Sequence, residues 1–382
     1  MVAAVRQGAS ERAVARRFQK SRRMVRRWLQ RAAGLRLDRV NWTEAPRGNP
    51  RPPRTVARME RAILRLRTWL QRRSALGECG AAAIHAALCR QGETPPCMRT
   101  IARVLARHHI GRIQRVRRPP PPPGWYLPAV AAGRAELDSF DFVEGLAFRG
   151  QRHFAALTAT SLWGSLAGAW PLYGGATLPS TQSCVTDHWR TWDLPPYAQV
   201  DNDPVFQGSH GHPHHLGRFV HFCLCLGVSI VFAPAHEQGF QNKLESFNAL
   251  WQQKVWRRYQ HHGPAQLDRR NHAFLQAYRT KHATRIDAAP PRGPFPAAIP
   301  RQIGAGQVVL LRRANAAAQL NLFGSILRLP APSAHRLFRC DWQPATAQVT
   351  VVGLHRRDPS WQPIVLQCFL PLRLTNWFST PR

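Results

Sequence analysis

The spacing of apolar residues changes twice along the chain. From Met1 to about Ile110 apolar residues recur at three- and four-residue intervals, which predicts amphipathic helices. From about Val130 short apolar runs alternate with turn residues and further helical stretches, which predicts a mixed α/β sheet. Beyond Gln302 apolar and polar residues alternate, and this pattern predicts a small antiparallel barrel or sandwich.

The first region predicts two helix-turn-helix units, residues 1–34 and 56–110. In the first unit Ser10 and Ser21 are suitable N-caps of two short helices, and the leading helix is expected to be truncated. The second helix of such a motif enters the major groove of DNA. An ordinary basic helical hairpin is the alternative. The residues assigned to DNA contact are Arg22, Arg23, Arg26, Arg27, Arg99, Arg103 and Arg107.

Two linkers are expected between these regions. Residues 35–55 are rich in Pro, Arg and Asn, and residues 111–128 contain the stiff run RRPPPPPG. The central α/β region then covers residues 129–298, and the small β domain, expected to bind DNA, covers residues 299–382. The chain is therefore predicted to be multidomain, with all-α units first, an α/β core next and an all-β domain last.

Charge is the strongest feature of the composition. The chain has 54 Lys and Arg residues against 20 Asp and Glu residues, a net charge of +34, and 29 of the 54 cations lie in Met1–Pro128. Clustered cations attract polyanions and release their counterions, so double-stranded DNA is the expected partner. The eight cysteines include no C-x-x-C pair, and no apolar run is long enough to span a bilayer. A cytoplasmic protein with no membrane partner is expected.

A few acids stand at the ends or faces of predicted elements in this basic chain. Asp138 and Asp141 lie on the first predicted strand, Asp201 and Asp203 follow the fourth, and Glu245 lies on a long helix. Hard divalent cations prefer carboxylate oxygens, and a pair of such ions can activate the attacking oxygen and stabilise the leaving oxygen of a phosphodiester. For each acid alone, a salt bridge or a solvated position is the competing explanation.

Three segments also resemble a known family. ELDSFDFVEGL, QVDNDPVF and KLESFNALWQQKVW are similar, in this order, to the core of DDE transposases and retroviral-type integrases, which have an RNase H-like fold. The likeness covers about Val130–Pro296, and AYRTKHATRIDAAPP resembles the pattern that follows the family's catalytic helix. Helix-turn-helix units before the core and a β domain after it are typical of bacterial insertion-sequence members.

The resemblance implies roles for individual residues. Asp201 and Glu245 match the second and third acids of the family, and Asn202 matches the asparagine after the second acid. Asp141 is favoured as the first acid because it lies between Phe140 and Phe142 and so faces away from the core; Asp138 is the alternative. Asp203 stands where the family often has glycine, and the Asp201–Glu245 interval, with its His-rich segment, is longer than usual.

The implied activity is metal-dependent DNA cleavage and strand transfer for a mobile element. Asp141, Asp201 and Glu245 would bind two Mg²⁺ or Mn²⁺ ions, with no small-molecule cofactor. The expected partners are element ends and target DNA, and the expected state is a homodimer or larger assembly on DNA, associated with the bacterial nucleoid. A DNA-binding regulator derived from a transposase, without catalysis, is the alternative, and a simple nuclease of the same fold is a third.

Overall fold

The computed structural model describes residues 1–43, 55–110, 124–149, 153–208, 217–234, 239–354 and 365–369. These residues form two compact units, Met1–Val56 and Ala57–Arg382. The His-rich segment and most of the predicted 111–128 linker lie outside the described residues. Within the described residues, no helix is both long and apolar enough to cross a membrane.

The first unit contains short helices around a small core. They are α1 (Val2–Arg6), α2 (Glu11–Arg17) and α3 (Arg22–Arg31), and a 3₁₀ turn follows at Leu37–Arg39. The predicted N-caps are confirmed, because the Ser10 hydroxyl accepts the Ala13 N–H and the Ser21 hydroxyl accepts the Met24 N–H. Val14, Ala15 and Val25 are buried between α2 and α3.

The first residues of the predicted 35–55 linker are part of this unit. Val40 is buried, and the Trp42 ring lies 5.5 Å from the Trp28 ring. Apolar residues in a polar, Pro-rich stretch therefore extend the fold of the unit by several residues.

The second helical region has the elements that its spacing predicts: α4 (Ala57–Arg73), α5 (Ala81–Arg90) and α6 (Met98–Arg107). Ile63, Ile84 and Ile101 are fully buried and join the three helices. The region also docks on the α/β core. Arg258 donates hydrogen bonds to the carbonyls of Ser74 at 2.7 Å and Gln71 at 3.0 Å, and Leu76 is buried in a core cluster.

The α/β core contains the predicted strands and helices, together with four further helices that the sequence did not indicate. In chain order they are α7 (Pro128–Ala131), β1 (Leu137–Leu146), β2 (Phe154–Ser161), β3 (Ala167–Leu172), α8 (Leu178–Trp192), β4 (Tyr197–Val200), α9 (Pro204–Gln207), α10 (Arg218–Cys225), β5 (Ser229–Phe232), α11 (Asn242–Trp251), α12 (Pro264–Lys281) and α13 (Ala283–Asp287). A π-helical turn, Gln252–Trp256, continues α11. Three strands pair antiparallel in the order β3-β2-β1, and β4 and β5 then add in parallel. This mixed sheet is consistent with an RNase H-like core.

The C-terminal strands are β6 (Val308–Arg313), β7 (Gln319–Leu322), β8 (Ser325–Arg328), β9 (Leu337–Gln343), β10 (Gln348–Leu354) and β11 (Val365–Phe369). Four of them continue the core sheet, in the order β5-β6-β9-β10-β11, while β7 and β8 form a separate hairpin. This differs from the separate barrel-like domain expected from residue 299. Val308–Leu311 is buried at four consecutive positions, which suits a central strand covered on both faces.

Helices cover both faces of the sheet. On one face α8 and α10 pack Trp189, Phe219 and Cys223 against the strands. On the other, α11 and α12 bury Leu244, Phe247, Trp251, Phe274 and Tyr278. The predicted linker up to residue 128 also ends in this second layer, because Tyr126 and Leu127 are each only 2% exposed.

Candidate active site

Asp141 lies at the centre of β1, on the face covered by α11. Its neighbour Phe140 is fully buried on the opposite face, against Trp189. One Asp141 carboxylate oxygen, Oδ2, accepts the Asn248 Nδ2–H at 2.9 Å, and Oδ1 accepts the Phe142 N–H at 2.9 Å. A strand and a helix therefore hold the carboxylate in one orientation.

A third residue fixes the side chain of Asn248. Thr158 pairs with Asp141 across β1 and β2, and its hydroxyl lies 2.7 Å from Asn248 Oδ1 and 3.0 Å from the Asp141 carbonyl. Because the Asn248 oxygen faces the hydroxyl, its amide nitrogen faces the Asp141 carboxylate. Asn248 is nearly buried and lies one turn after Glu245 on α11.

Asp201 follows the last residue of β4 directly. Its Oδ1 accepts the Asp203 N–H at 3.1 Å, and Asp203 in turn caps α9 by accepting the Val205 N–H at 2.7 Å. Asn202 ties the same loop to the sheet. Its amide donates to the Ala233 carbonyl at 2.8 Å, and its oxygen accepts from Arg312 at 3.0 Å. The loop that carries Asp201 is therefore anchored at β5 and β6.

Glu245 lies in the first turn of α11 and is exposed. One apolar stripe of this helix is buried, since Leu244, Phe247 and Trp251 are each no more than 2% exposed. Because that stripe packs against the sheet, Glu245 lies outside the apolar contact, on the same side of α11 as Asn248.

Electrostatic interactions join the three acids. Burial raises the pKa of Asp141 to about 6, and the charges of Asp201 and then Glu245 add to this rise, while the hydrogen bonds from Phe142 and Asn248 oppose it. Burial also raises the pKa of Asp201, with contributions from the charges of Asp203 and Glu144. Of the three acids, Asp141 is therefore the one whose pKa is raised by the charges of both of the others.

Asp138, the alternative first acid, lies on the other face of β1 and is fully buried. Its carboxylate accepts hydrogen bonds from Arg292 at 2.5 Å and from the Trp189 indole at 3.1 Å. His188 Nε2 lies 3.7 Å away, and burial lowers the pKa of this histidine to about 4. A buried arginine therefore neutralises Asp138, on the side of the sheet away from Asp141.

Asp141, Asp201 and Glu245 meet some of the requirements of a divalent-cation site. Among the described residues, no group of three or more His, Cys, Asp and Glu side chains is arranged to hold a metal ion. Asp141, Asp201 and Glu245 supply the oxygens that such cations prefer. The repulsion that raises the pKa of Asp141 is also the interaction that a cation would remove. The set fits in donor chemistry and charge, although its side chains do not form a closed three-ligand arrangement.

The arginines assigned to DNA contact lie at the surfaces of two separate helices. Arg22, Arg23, Arg26 and Arg27 are exposed on α3, and Arg26 pairs with Glu11 at 2.8 Å. On α6 the exposed residues Arg99, Arg103 and Arg107 recur every four positions, so they share one helix face. Arg107 lies 3.6 Å from Glu60.

Several site residues were missed at the level of sequence. Asn248 and Thr158 hold Asp141, but they lie 107 and 17 positions from it, and no local pattern predicts those contacts. Glu144 influences Asp201 across β1 and β4 and was also not singled out. The three-residue spacing of Glu245 and Asn248 on one helix side was the available signal for Asn248.

No family model matches the chain, and no curated protein matches it. Among solved structures, the chain is similar to the catalytic core domain of HTLV-2 integrase in complex with magnesium, with 14% identity over 38% of this chain and 83% of that one and a TM-score of 0.27. The corresponding values for the catalytic core domain of BIV integrase are 15%, 37%, 80% and 0.27.

A longer similarity is to the simian T-cell lymphotropic virus intasome, solved in complex with PP2A regulatory subunit B56 gamma. It has 13% identity over 81% of this chain and 97% of that one, with a TM-score of 0.32. TM-scores of this size do not establish a shared fold or activity.

Proposed function

We propose that the protein is a metal-dependent DNA strand-transfer enzyme, the transposase or integrase of a mobile element. The observation that supports this most directly is that the charges of both Asp201 and Glu245 raise the pKa of Asp141. Asp141 lies on β1, Asp201 follows β4, and Glu245 lies on α11. The net charge of the chain is +34, yet among the described residues these acids form no salt bridge of the kind that Arg292 forms with Asp138.

Asp141, Asp201 and Glu245 are the residues that would hold Mg²⁺ or Mn²⁺. Together these three side chains would supply the carboxylate oxygens that such cations prefer. Bound cations would lower the pKa of the attacking hydroxyl and stabilise the negative charge on the leaving oxygen. Asn248 and Thr158 keep the Asp141 carboxylate turned toward α11, and Asn202 with Arg312 keeps the Asp201 loop in place.

DNA would be bound mainly through phosphates. The exposed arginines of α3 and α6 would contact the element ends, and the basic C-terminal strands would hold backbone phosphates with little base selection. Because α6 belongs to a region docked on the core, its arginines have a fixed relation to the carboxylates. Joining two DNA ends requires at least two copies of the chain.

A DNA-binding regulator is the second candidate, and one observation favours it. Both carboxylate oxygens of Asp141 already accept hydrogen bonds, and the acids of the described residues form no closed ligand set. A regulator would keep the basic helices and would have no need for bound cations.

One experiment separates these candidates and the simple nuclease. Labelled duplexes carrying candidate element ends, with a target plasmid, are incubated with the protein and Mg²⁺. A transposase yields both cleaved ends and joined products, and Asp201→Ala and Glu245→Ala lose both. Asp187→Ala is the matched control, since Asp187 is exposed on α8 across the sheet. Cleavage without joining would indicate a nuclease, and binding without cleavage in the wild-type protein would reject the proposed enzyme in favour of the regulator.

A further inference from the structure

A cavity of about 300 Å³ lies beside the candidate active site. Its floor is formed by Leu137 and Ser139 of β1 and by Gln199 of β4, and Lys243 and Ser246 of α11 form part of its wall. The three proposed catalytic acids, Asp141, Asp201 and Glu245, are not among its lining residues. The cavity is therefore a neighbouring feature on the same side of the sheet.

Strand geometry fixes the separation of the cavity from the carboxylates. Ser139 pairs with Gln199 across β1 and β4, and both side chains line the cavity. Asp141 and Asp201 each come two residues later, so they lie on the same face about 7 Å further along the strands. Stacked nucleotides of one DNA strand rise about 3.4 Å each. The cavity is therefore one or two nucleotides from a phosphodiester placed at the carboxylates.

Aromatic rings form much of the remaining wall. The rings of Trp125 and Phe240 are 6.0 Å apart, and those of Tyr126 and Phe240 are 5.2 Å apart. On another side the Trp163 indole N–H donates to the Val130 carbonyl at 3.0 Å, which fixes that ring. Tyr126 and Phe240 are buried, whereas Trp125 and Trp163 are partly exposed, and planar, partly exposed rings stack on nucleobases without regard to sequence.

The side-chain amides of Gln199 and Gln241 lie at the cavity. Gln199 is fully buried, and its Oε1 accepts from the Tyr126 hydroxyl at 2.9 Å and from the Ser139 hydroxyl at 3.3 Å. Its Nε2, and the Nε2 of Gln241, have no hydrogen-bond partner among the described residues. Each unpaired donor carries an uncompensated desolvation cost, which an acceptor on a ligand would remove. The carbonyl oxygens and ring nitrogens of a nucleobase are such acceptors.

Two cations complete the lining. Lys243 and Arg285 both border the cavity, and neither forms a salt bridge within the described ranges. Burial lowers the pKa of Lys243, and the charge of Arg285 lowers it further. The charge of Glu136 opposes this lowering, but neither cation forms a salt bridge with it among the described residues, and two cations that repel each other in this way suit a phosphate group.

We propose that this cavity takes one unstacked nucleobase of the DNA, one or two nucleotides from the phosphodiester at the carboxylates, with Lys243 and Arg285 on its phosphate. The assignment of DNA as the ligand rests on the proposed function. Base capture itself requires neither cations nor catalysis, because Asp141, Asp201 and Glu245 are outside the cavity.

The test measures binding of the full-length protein in EDTA to two duplexes. One ends in three unpaired adenines, and the other has three abasic residues at the same positions, with each overhang placed in turn on the 3′ and the 5′ strand. The wild-type protein should bind the base-containing duplex about tenfold more tightly, in keeping with the stacking of one base. Asp201→Ala should keep this preference, which separates failure of the cavity from failure of the proposed enzyme.

Variants locate the preference. Trp125→Ala and Gln199→Leu should each reduce the tenfold preference toward one. Trp69→Ala is the matched control, because Trp69 is 56% exposed on α4, and it should keep the preference. If Trp125→Ala does not fold, by circular dichroism, Gln199→Leu carries the test. Equal binding of the two duplexes by the wild-type protein, or equal loss in Trp69→Ala, would overturn the proposal.

Competition separates a base on DNA from a free nucleotide. Excess dAMP should abolish the preference, whereas excess deoxyribose 5-phosphate should leave it, since the sugar phosphate has no base to stack. Competition by both compounds would show a phosphate site and overturn the base assignment. Binding of dAMP by a protein that does not distinguish the duplexes would assign the cavity to free nucleotides and overturn its assignment to DNA.

Discussion

Asp138 and Asp141 lie three residues apart on one strand, yet the protein treats their charges in opposite ways. Asp138 is fully buried, and Arg292, Trp189 and His188 surround it. Asp141 is only partly buried, receives two neutral hydrogen bonds and faces two further acids. The buried acid is neutralised by an arginine, whereas the pKa of the more accessible one is raised by burial and by the charges of two other acids.

This contrast separates a structural carboxylate from a candidate ligand. Burying a charge is costly unless a partner neutralises it, and Arg292 meets that requirement for Asp138. His188 adds little positive charge at neutral pH, because burial lowers its pKa to about 4. At Asp141 the protein instead maintains an unfavourable arrangement, and groups whose pKa is perturbed in this way are concentrated at functional sites.

The largest expected effect is on DNA cleavage. In Asp141→Asn, loss of one carboxylate should lower the cleavage rate about a thousandfold, since metal-assisted stabilisation contributes several kcal/mol and each 1.36 kcal/mol is tenfold. Single-turnover cleavage of labelled DNA measures this. Asp138→Asn is the comparison: its remaining folded fraction should cleave at close to the wild-type rate. Equal loss in the two variants would remove the proposed distinction.

The next largest effect is on stability. Arg292→Ala leaves Asp138 buried without its cation, so the free energy of unfolding should fall by about 3–5 kcal/mol. Urea denaturation at pH 7 measures the change. The double variant Asp138→Asn/Arg292→Ala should recover part of the loss, because the stranded charge is gone. A single variant as stable as the wild-type protein would show that Asp138 needs no neutralisation.

The third effect is a pH dependence. The pKa of Asp141 in the fold, about 6, lies above its ordinary value, so its protonated form is favoured. The raised pKa adds to the free energy of unfolding, and this contribution is fully present below pH 4 and is lost as pH rises through 6. The loss is about 3 kcal/mol, because the pKa in the fold lies about two pH units above the ordinary value. In Asp141→Asn this loss should disappear, so the stability of the variant relative to the wild-type protein should increase between pH 4 and 8. A difference that stays constant with pH would contradict the interpretation.

The smallest effect concerns the hydroxyl behind the site. Thr158→Val removes the hydrogen bond to Asn248 and should cost about 1 kcal/mol in the free energy of unfolding. With Asn248 less fixed, its hydrogen bond to Asp141 weakens, and the pKa of Asp141 should rise further. Carboxyl carbon NMR titration measures that pKa. Thr160→Val, two residues along the same buried strand, should leave it unchanged; a rise in both variants would point to general loosening of β2.

The sequence was most informative where one face of an element is buried. The alternation of apolar and polar residues around Asp141 predicted that its side chain lies on the face of β1 opposite Phe140, as it does. On α11, burial of the apolar stripe left Glu245 exposed. Helix α12 was missed, because few apolar residues mark its buried side, where Asn271 stands between Leu267 and Phe274, and the rest of the stretch is largely charged and polar.

Long-range pairings could not be predicted from local patterns. Arg292 lies 154 positions from Asp138, and nothing in the intervening sequence indicates that they meet. The parallel pairing of β5 with β6 was equally hard to predict. Parallel strands are joined by a long crossover connection, so no hairpin turn in the sequence marks them as neighbours. For this reason the alternating C-terminal strands were read as a domain of their own.

The continuous sheet from β3 to β11 has a consequence for how such a chain is divided or exchanged. A cut at residue 298, where the sequence suggests a junction, would remove β6 and leave the backbone N–H and C=O groups along one side of β5 without partners. An open, apolar strand edge recruits other chains into aggregates. Expression of the core alone therefore has to retain all the strands that continue the sheet, up to β11, and recombination between relatives at that junction would exchange four of the nine strands of one sheet, not an independent module.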